Sequence, residues 1–254
     1  AAGAAGGDAA GGGVEPEVTL VMVEQPGCHY CRAWHAEIGP AYPRTEAGAF
    51  APLRTEQMRA IPDDLDLGRV VAIDCETMGL NPHRDRLCVV QLSGGDGAAH
   101  LVQVARGQTE APNLQRLIED PETLKLFHFG RFDIAALHHT FGSLAAPVWC
   151  TKIASKLVRT YTDRHGLKVL TQELLGIDIS KQQQSSDWGA ATLSRAQLDY
   201  AASDVLYLHR LRAALEEMLL REGRLELAQA CFDFLPTRAV LDLSGWPEED
   251  IFSH

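Results

Sequence analysis

The amino-acid sequence predicts a mixed α/β domain in which strands come first and helices follow. Three observations carry this. Val70 to Cys75 is an apolar, β-prone run, and short β-prone segments recur after it as far as Trp149. From Thr151 onward apolar residues return at the ~3.6-residue period of a helix. The apolar runs, such as Leu20 to Val23, are far shorter than the ~20 residues that span a bilayer, so no membrane association is expected.

The elements follow in order. Residues 1–13 are Ala and Gly with one Asp and have little side-chain area to bury, so they read as a disordered segment or linker. Val18 to Glu24 reads as a strand, broken by Gln25-Pro26-Gly27. Cys28-His29-Tyr30-Cys31 then opens a helix that reaches Ile38 and stops at Gly39-Pro40. Residues 41–67, with Pro43, Pro52 and Pro62, read mostly as loop. This divides the chain into residues 14–60, a small strand-helix unit, and residues 61–254, the main domain.

In the main domain Val70 to Cys75 is a buried strand. Arg86 to Ser93 alternates less cleanly but is β-rich, and Ala99 to Val104 is its partner across the hairpin signal Gly95-Asp96-Gly97. Asn113 to Ile118 starts a helix, and Leu124 to Phe127 is a short strand. Phe132 to His139 is helical, with Ile134, Ala135 and Leu137 at helical spacing, and Pro147 to Trp149 is a further strand. Ile153 and Leu157, then Leu167, Leu170 and Leu174, then Leu198, Ala202, Val205, Leu208 and Leu215 mark later helices, with Gly176 ending the second.

Composition sets limits on function. The 254 residues are 46% hydrophobic and carry a formal net charge of −11. Phosphate contacts need Lys and Arg, so the overall charge argues against nucleic acid unless the acids hold divalent metal and the bases cluster locally. A disulfide framework and a signal peptide are not expected: the six cysteines are scattered apart from Cys28 and Cys31, and the start of the sequence shows neither a basic region nor an apolar core. A reducing cytoplasm is the expected location.

The sharpest local signal is Val70-Val71-Ala72-Ile73-Asp74-Cys75-Glu76-Thr77, an apolar strand ending in two acids separated by one residue. Positions i and i+2 of a strand share a face, so Asp74 and Glu76 converge, and a divalent cation relieves their repulsion. A strand that surfaces with both acids solvated fits the same pattern. Asp133, in His128-Phe129-Gly130-Arg131-Phe132-Asp133, lies early in a helix, where the helix dipole alone favours an acid. Tyr200 and Asp204, at i and i+4, share one helix face beside an apolar stripe, which also suits a core-edge Tyr with a surface Asp.

Together and in this order, the three elements resemble the three exonuclease motifs of the DEDD superfamily, and Tyr200 resembles the mark of its tyrosine branch. Leu124 to Phe129, Thr162 to Lys168 and Lys181 to Trp188 further resemble RNase D-like 3′→5′ exonucleases. The resemblance runs from about Asp66 to the C-terminus. It implies an RNase H-like exonuclease fold, a mixed sheet flanked by helices. It implies that Asp74, Glu76, Asp133 and Asp204 hold two Mg²⁺ or Mn²⁺ ions, and that Tyr200 positions the attacking water. The implied reaction releases nucleoside monophosphates from the 3′ ends of single-stranded RNA; a DNA-directed exonuclease on the same fold is the alternative. At the position after Asp74 this chain has Cys75 rather than Thr, with a side chain expected to point away from the metals, and His128 stands where related enzymes often carry Asn.

Substrate contacts are expected from Thr77, Met78, Leu80, His128 and Phe129, although core packing is the simpler expectation for Phe129. Arg131, Lys152, Arg164, His165, Lys168 and Lys181 are candidates for phosphate contact. The strand-then-helix context of Cys28 and Cys31 resembles the first half of a thioredoxin-like domain, which implies a thiol–disulfide redox role as a second reading.

Overall fold

The computed structural model describes residues 54–180, 182–247 and 249–253. The expectations for residues 1–13 and for the Cys28/Cys31 unit lie outside them. The described chain builds one six-stranded sheet, in the order β1-β4-β3-β2-β5-β6. The strands are β1 (Arg54–Met58), β2 (Val70–Thr77), β3 (Leu87–Ser93), β4 (Ala98–Gln103), β5 (Leu124–Phe127) and β6 (Val148–Cys150). β2, β3 and β4 pair antiparallel, whereas β1 on β4, and β5 and β6 beyond β2, run parallel. Among the described residues there are seven helices: α1 (Pro112–Glu119), α2 (Gly130–Phe141), α3 (Thr151–Val158), α4 (Leu167–Leu175), α5 (Arg195–Leu206), α6 (Leu208–Arg221) and α7 (Leu225–Leu243); the series read from Leu198 to Leu215 spans both α5 and α6, and α7 adds a helix beyond it. Among the described residues no helix is long and apolar enough to cross a membrane.

One sequence expectation changes. Residues 41–67 read mostly as loop, yet Arg54–Met58 is a strand that joins the sheet beside β4, ahead of the expected start of the domain at residue 61. Its sequence, RTEQM, carries no apolar alternation, so its pairing supplies what its pattern lacks. The irregular alternation of β3 also has a cause. All seven of its residues are buried, so neither face selects polar side chains for solvent.

The sheet sits between helices whose ends the sequence marks clearly. Leu208, Leu211, Leu215 and Leu219 of α6 are fully buried on one face. Phe232 of α7 meets the Trp149 ring of β6 at 4.9 Å. Gly142 and Gly176 end α2 and α4 in the left-handed conformation, as C-terminal glycines do. Ser194 caps α5 in a reciprocal pair with Gln197. β2 lies in the middle of the sheet with Val71, Ala72 and Ile73 wholly buried, so its C-terminal end is a rigid platform.

α2 is seated tightly against that platform. A side chain at Gly130, its first residue, would place a Cβ 2.7 Å from the Phe127 Cβ. Gly130→Ala is therefore expected to cost about 1–3 kcal/mol of stability through overpacking. Urea unfolding checks this, and an unchanged midpoint would show that α2 has room to move off β5.

Candidate active site

The end of β2 points Asp74 and Glu76 to one side of the sheet, and α5 brings Asp204 to them. One carboxylate oxygen from each of the three lies within 4.8 Å of the others. Asp133 enters from the first turn of α2, is 3% exposed, and lines the same cleft, although it lies outside that closest trio. The cleft has a volume of about 730 Å³.

The electrostatics are those of acids buried close together. Burial pushes the Asp74 carboxyl up to about 7, against the lowering effect of the Cys75 amide. Burial and then the charges of Asp74, Asp204 and Asp133 push Glu76 up to about 10. Burial, followed by the Asp74 charge, raises Asp133 well above the usual carboxylate range. Desolvation and mutual repulsion both disfavour the ionised forms, and a hard divalent cation removes both costs at once. The donor set is all oxygen and suits Mg²⁺ or Mn²⁺ rather than a soft metal.

Tyr200 stands one turn before Asp204 on α5, half-buried in the cleft wall. Burial, then the negative charges of Asp204, Glu76 and Asp74, raises its phenol above the ordinary value. It therefore stays protonated near neutrality and can donate a hydrogen bond, but it is a poor base. Cys75 between the two β2 acids is 5% exposed, and burial pushes its thiol up, so it is inert.

The candidate substrate contacts divide. Thr77, Met78, Leu80, His128, Phe129, Lys152 and Lys168 all line the cleft. His128 Nδ1 lies 2.8 Å from the Thr151 hydroxyl, which is also within 3.2 Å of Phe127 O, so the ring is tied to the start of α3. Phe129 is not core as expected: it is 47% exposed, with a φ of 68° just before α2, and the Lys152 ammonium lies 3.9 Å from its ring centre. A positive φ on a bulky residue is strained and puts its ring at the cleft mouth rather than under the sheet.

Arg131 does not line the cleft. It makes a two-pronged ion pair with Asp242 of α7, at 2.5 and 2.8 Å, and bonds to Pro247 O, so it ties α2 to the C-terminal segment. His165 and Arg164 also lie off the cleft lining: His165 contacts Ser155 Oγ at 2.9 Å, and Arg164 faces Glu173 at 3.8 Å. In all three a partner within the fold holds a side chain that was a candidate for phosphate contact. Lys181, Cys28 and Cys31 lie outside the described residues.

Two neighbours of the cluster went unread in the sequence. Gln91, paired with Asp74 across β2 and β3, is wholly buried and reaches Asp74 Oδ2 at 3.4 Å. The signal for it was a lone amide inside the apolar run LCVVQLS. Trp188 lines the cleft beside Tyr200, within a segment read for its likeness but not for its tryptophan.

Comparison with known proteins agrees with this geometry. Residues 51–220 match the family model described as 3′-5′ exonuclease. A Ribonuclease D of Acidiphilium cryptum is 38% identical over 172 residues, which are 68% of this chain and 43% of that relative, so the chain spans under half of its length. Brucella melitensis NrnC, in a structure bound to pGG, is 60% identical with a TM-score of 0.77, over 80% of this chain and 99% of NrnC. A structure of NrnC with bound Mg²⁺ matches with a TM-score of 0.76 at the same identity, over 80% of this chain and 100% of NrnC. Escherichia coli RNase D, at 24% identity and a TM-score of 0.65, covers 77% of this chain and 54% of its own, and shares the RNase H-like exonuclease fold.

The raised carboxyls set a pH dependence for the metal-free protein. Asp74 rises from an ordinary 3.8 to about 7 and Glu76 from 4.5 to about 10, so the unfolded chain releases these protons first. Stability is then fully present below about 4 and is lost as pH climbs toward the folded values. Thermal unfolding in chelator should show a falling midpoint between pH 5 and 8 (about those values), and Mn²⁺ should raise the midpoint more at the upper pH. A Mn²⁺ shift equal at both values would contradict ligation by these acids.

Proposed function

The chain belongs to the 3′-5′ exonuclease family, and from that premise we propose that it is a metal-dependent 3′→5′ exoribonuclease acting on single-stranded RNA ends. The observation that carries the proposal is the convergence of Asp74, Glu76, Asp133 and Asp204, from three separate elements, on one cleft. These four carboxylates would hold two divalent cations, Mg²⁺ or Mn²⁺, which supply Lewis-acid activation of a water and neutralise charge on the phosphodiester.

The remaining work falls to the chain itself. Tyr200, kept protonated by its surroundings, orients the attacking water by hydrogen bonding without taking its proton. Lys152, at the cleft mouth, draws in the phosphate backbone and supplies positive charge in a protein of net charge −11. Phe129, Met78 and Leu80 are exposed apolar groups at the cleft and provide faces for the terminal base and sugar. Asp74 and Glu76 keep their geometry because β3 pairs with β2 at both positions, Gln91 opposite Asp74 and Val89 opposite Glu76.

The substrate is further proposed to be short. NrnC, 60% identical over almost its whole length, was seen bound to pGG, which makes a 5′-phosphorylated GG dinucleotide the first substrate to try.

Asp74→Ala and Asp204→Ala should each lower turnover at least ~1,000-fold while leaving the thermal midpoint within a few degrees or higher, since each removes a repelling charge. Retained turnover in either variant would contradict the assignment. The assay follows pGG and a 5′-labelled RNA oligomer with Mn²⁺, beside the matching DNA. Lys152→Ala should raise KM about tenfold at unchanged kcat, the value of one charge-assisted hydrogen bond. A fall in kcat alone would place Lys152 at the chemistry instead.

A further inference from the structure

Trp188 has a role that the proposed chemistry leaves unassigned. It is 2% exposed yet lines the cleft, in the loop that joins α4 to α5. Its ring lies 5.9 Å from that of Tyr200 at an interplanar angle of 42°. Three side chains from separate elements grip the carbonyls around it. Gln197 Nε2 of α5 donates to Asp187 O at 3.0 Å, Arg86 Nη2 before β3 to Gly189 O at 3.3 Å, and Gln103 Nε2 of β4 to Ala190 O at 3.5 Å. The Gly189 N–H also donates to Asp187 Oδ1 at 3.0 Å, closing the turn around the tryptophan.

Ordinary core packing accounts poorly for this arrangement. A buried tryptophan normally finds an acceptor for its indole N–H. Trp188 Nε1 is buried and has no hydrogen-bond partner among the described residues. The ring is therefore held by the loop bonds and by its contact with Tyr200, not by a hydrogen bond of its own.

We propose that Trp188 is a positioning residue: gripped through its neighbouring carbonyls, its indole fixes the Tyr200 ring so that the phenol faces the carboxylate cluster. The inference rests on the proposed role of Tyr200 in orienting water. In the position it holds, Tyr200 hydrogen-bonds to Asp204, and a change of side-chain rotamer would carry the hydroxyl elsewhere. Trp188 acts on turnover through Tyr200 and leaves substrate affinity to the cleft mouth.

A double-mutant cycle on the full chain tests this, with kcat and KM measured on a 5′-labelled RNA oligomer in Mn²⁺. Trp188→Leu should lower kcat about tenfold with KM within about twofold, as expected of a misplaced group near the reaction. Trp188→Phe, which keeps a ring against Tyr200, should recover most of that loss. In a Tyr200→Phe background the further loss from Trp188→Leu should shrink to less than about twofold, because coupled residues are not additive. The same factor in both backgrounds, a raised KM at constant kcat, or unchanged kinetics would each overturn the proposal. Wild-type turnover in Tyr200→Phe alone would instead remove the premise, and with it this inference. Should Trp188→Leu lack a cooperative thermal transition, Arg86→Met, which releases the Gly189 carbonyl, is carried through the same cycle. Non-additivity with Tyr200→Phe supports the proposal there and additivity overturns it.

Discussion

The repulsion among carboxylates gathered at one end of β2 is the constraint on which the rest of the structure depends. Oxygens of Asp74, Glu76 and Asp204 sit within 4.8 Å of one another. At an effective dielectric of ~20, two unit charges at that separation repel by about 3 kcal/mol. Asp133, almost wholly buried, adds to the same field. A chain holds such groups together only if rigid elements force it, and it benefits only if a cation completes them.

The elements that force it are visible. β3 pairs antiparallel with β2 at both acids, while β5 pairs parallel with the earlier part of the strand, Val70 to Ala72, and holds the root from which they project. α2 sits against β5 with no room for a side chain at Gly130, and the Arg131–Asp242 ion pair fastens it to α7. α5 is capped at Ser194 and bound through Gln197 to the loop that carries Trp188. Each acid or phenol thus stands on an element anchored at a second point away from the cleft. The mouth is different in character. Met78, Leu80 and Phe129 are exposed, and Lys152 lies over the Phe129 ring, which is the form of a surface kept for a partner.

Much of this was legible in the sequence, and for definable reasons. The strand ending in Asp74 and Glu76 shows in an apolar run followed by acids at i and i+2, and the Tyr200–Asp204 pair shows in helical spacing. Both are local rules of geometry. Asp133 had no such local rule and became readable only through its order relative to the other two and the family likeness. β1 was read as loop because its stability comes from pairing with β4, a contact distant in sequence. The contacts of Arg131 and His165 were not legible for the same reason: their partners, Asp242 and Ser155, are set by tertiary packing. Phe129 was expected in the core because hydrophobicity was the only guide, while the positive φ that turns it outward is a property of the folded turn. Gln91 and Trp188 belong to the layer behind the acids, where a residue's role is defined by what it touches.

The account stands or falls on whether the carboxylate cluster is a cation site. Anomalous diffraction from a crystal soaked in Mn²⁺ measures this directly. Manganese peaks ligated by Asp74, Glu76 and Asp204, with Asp133 at the same centre, are the predicted result. An occupied manganese site elsewhere on the protein, with none among these four residues at a concentration that supports nuclease activity, would contradict it.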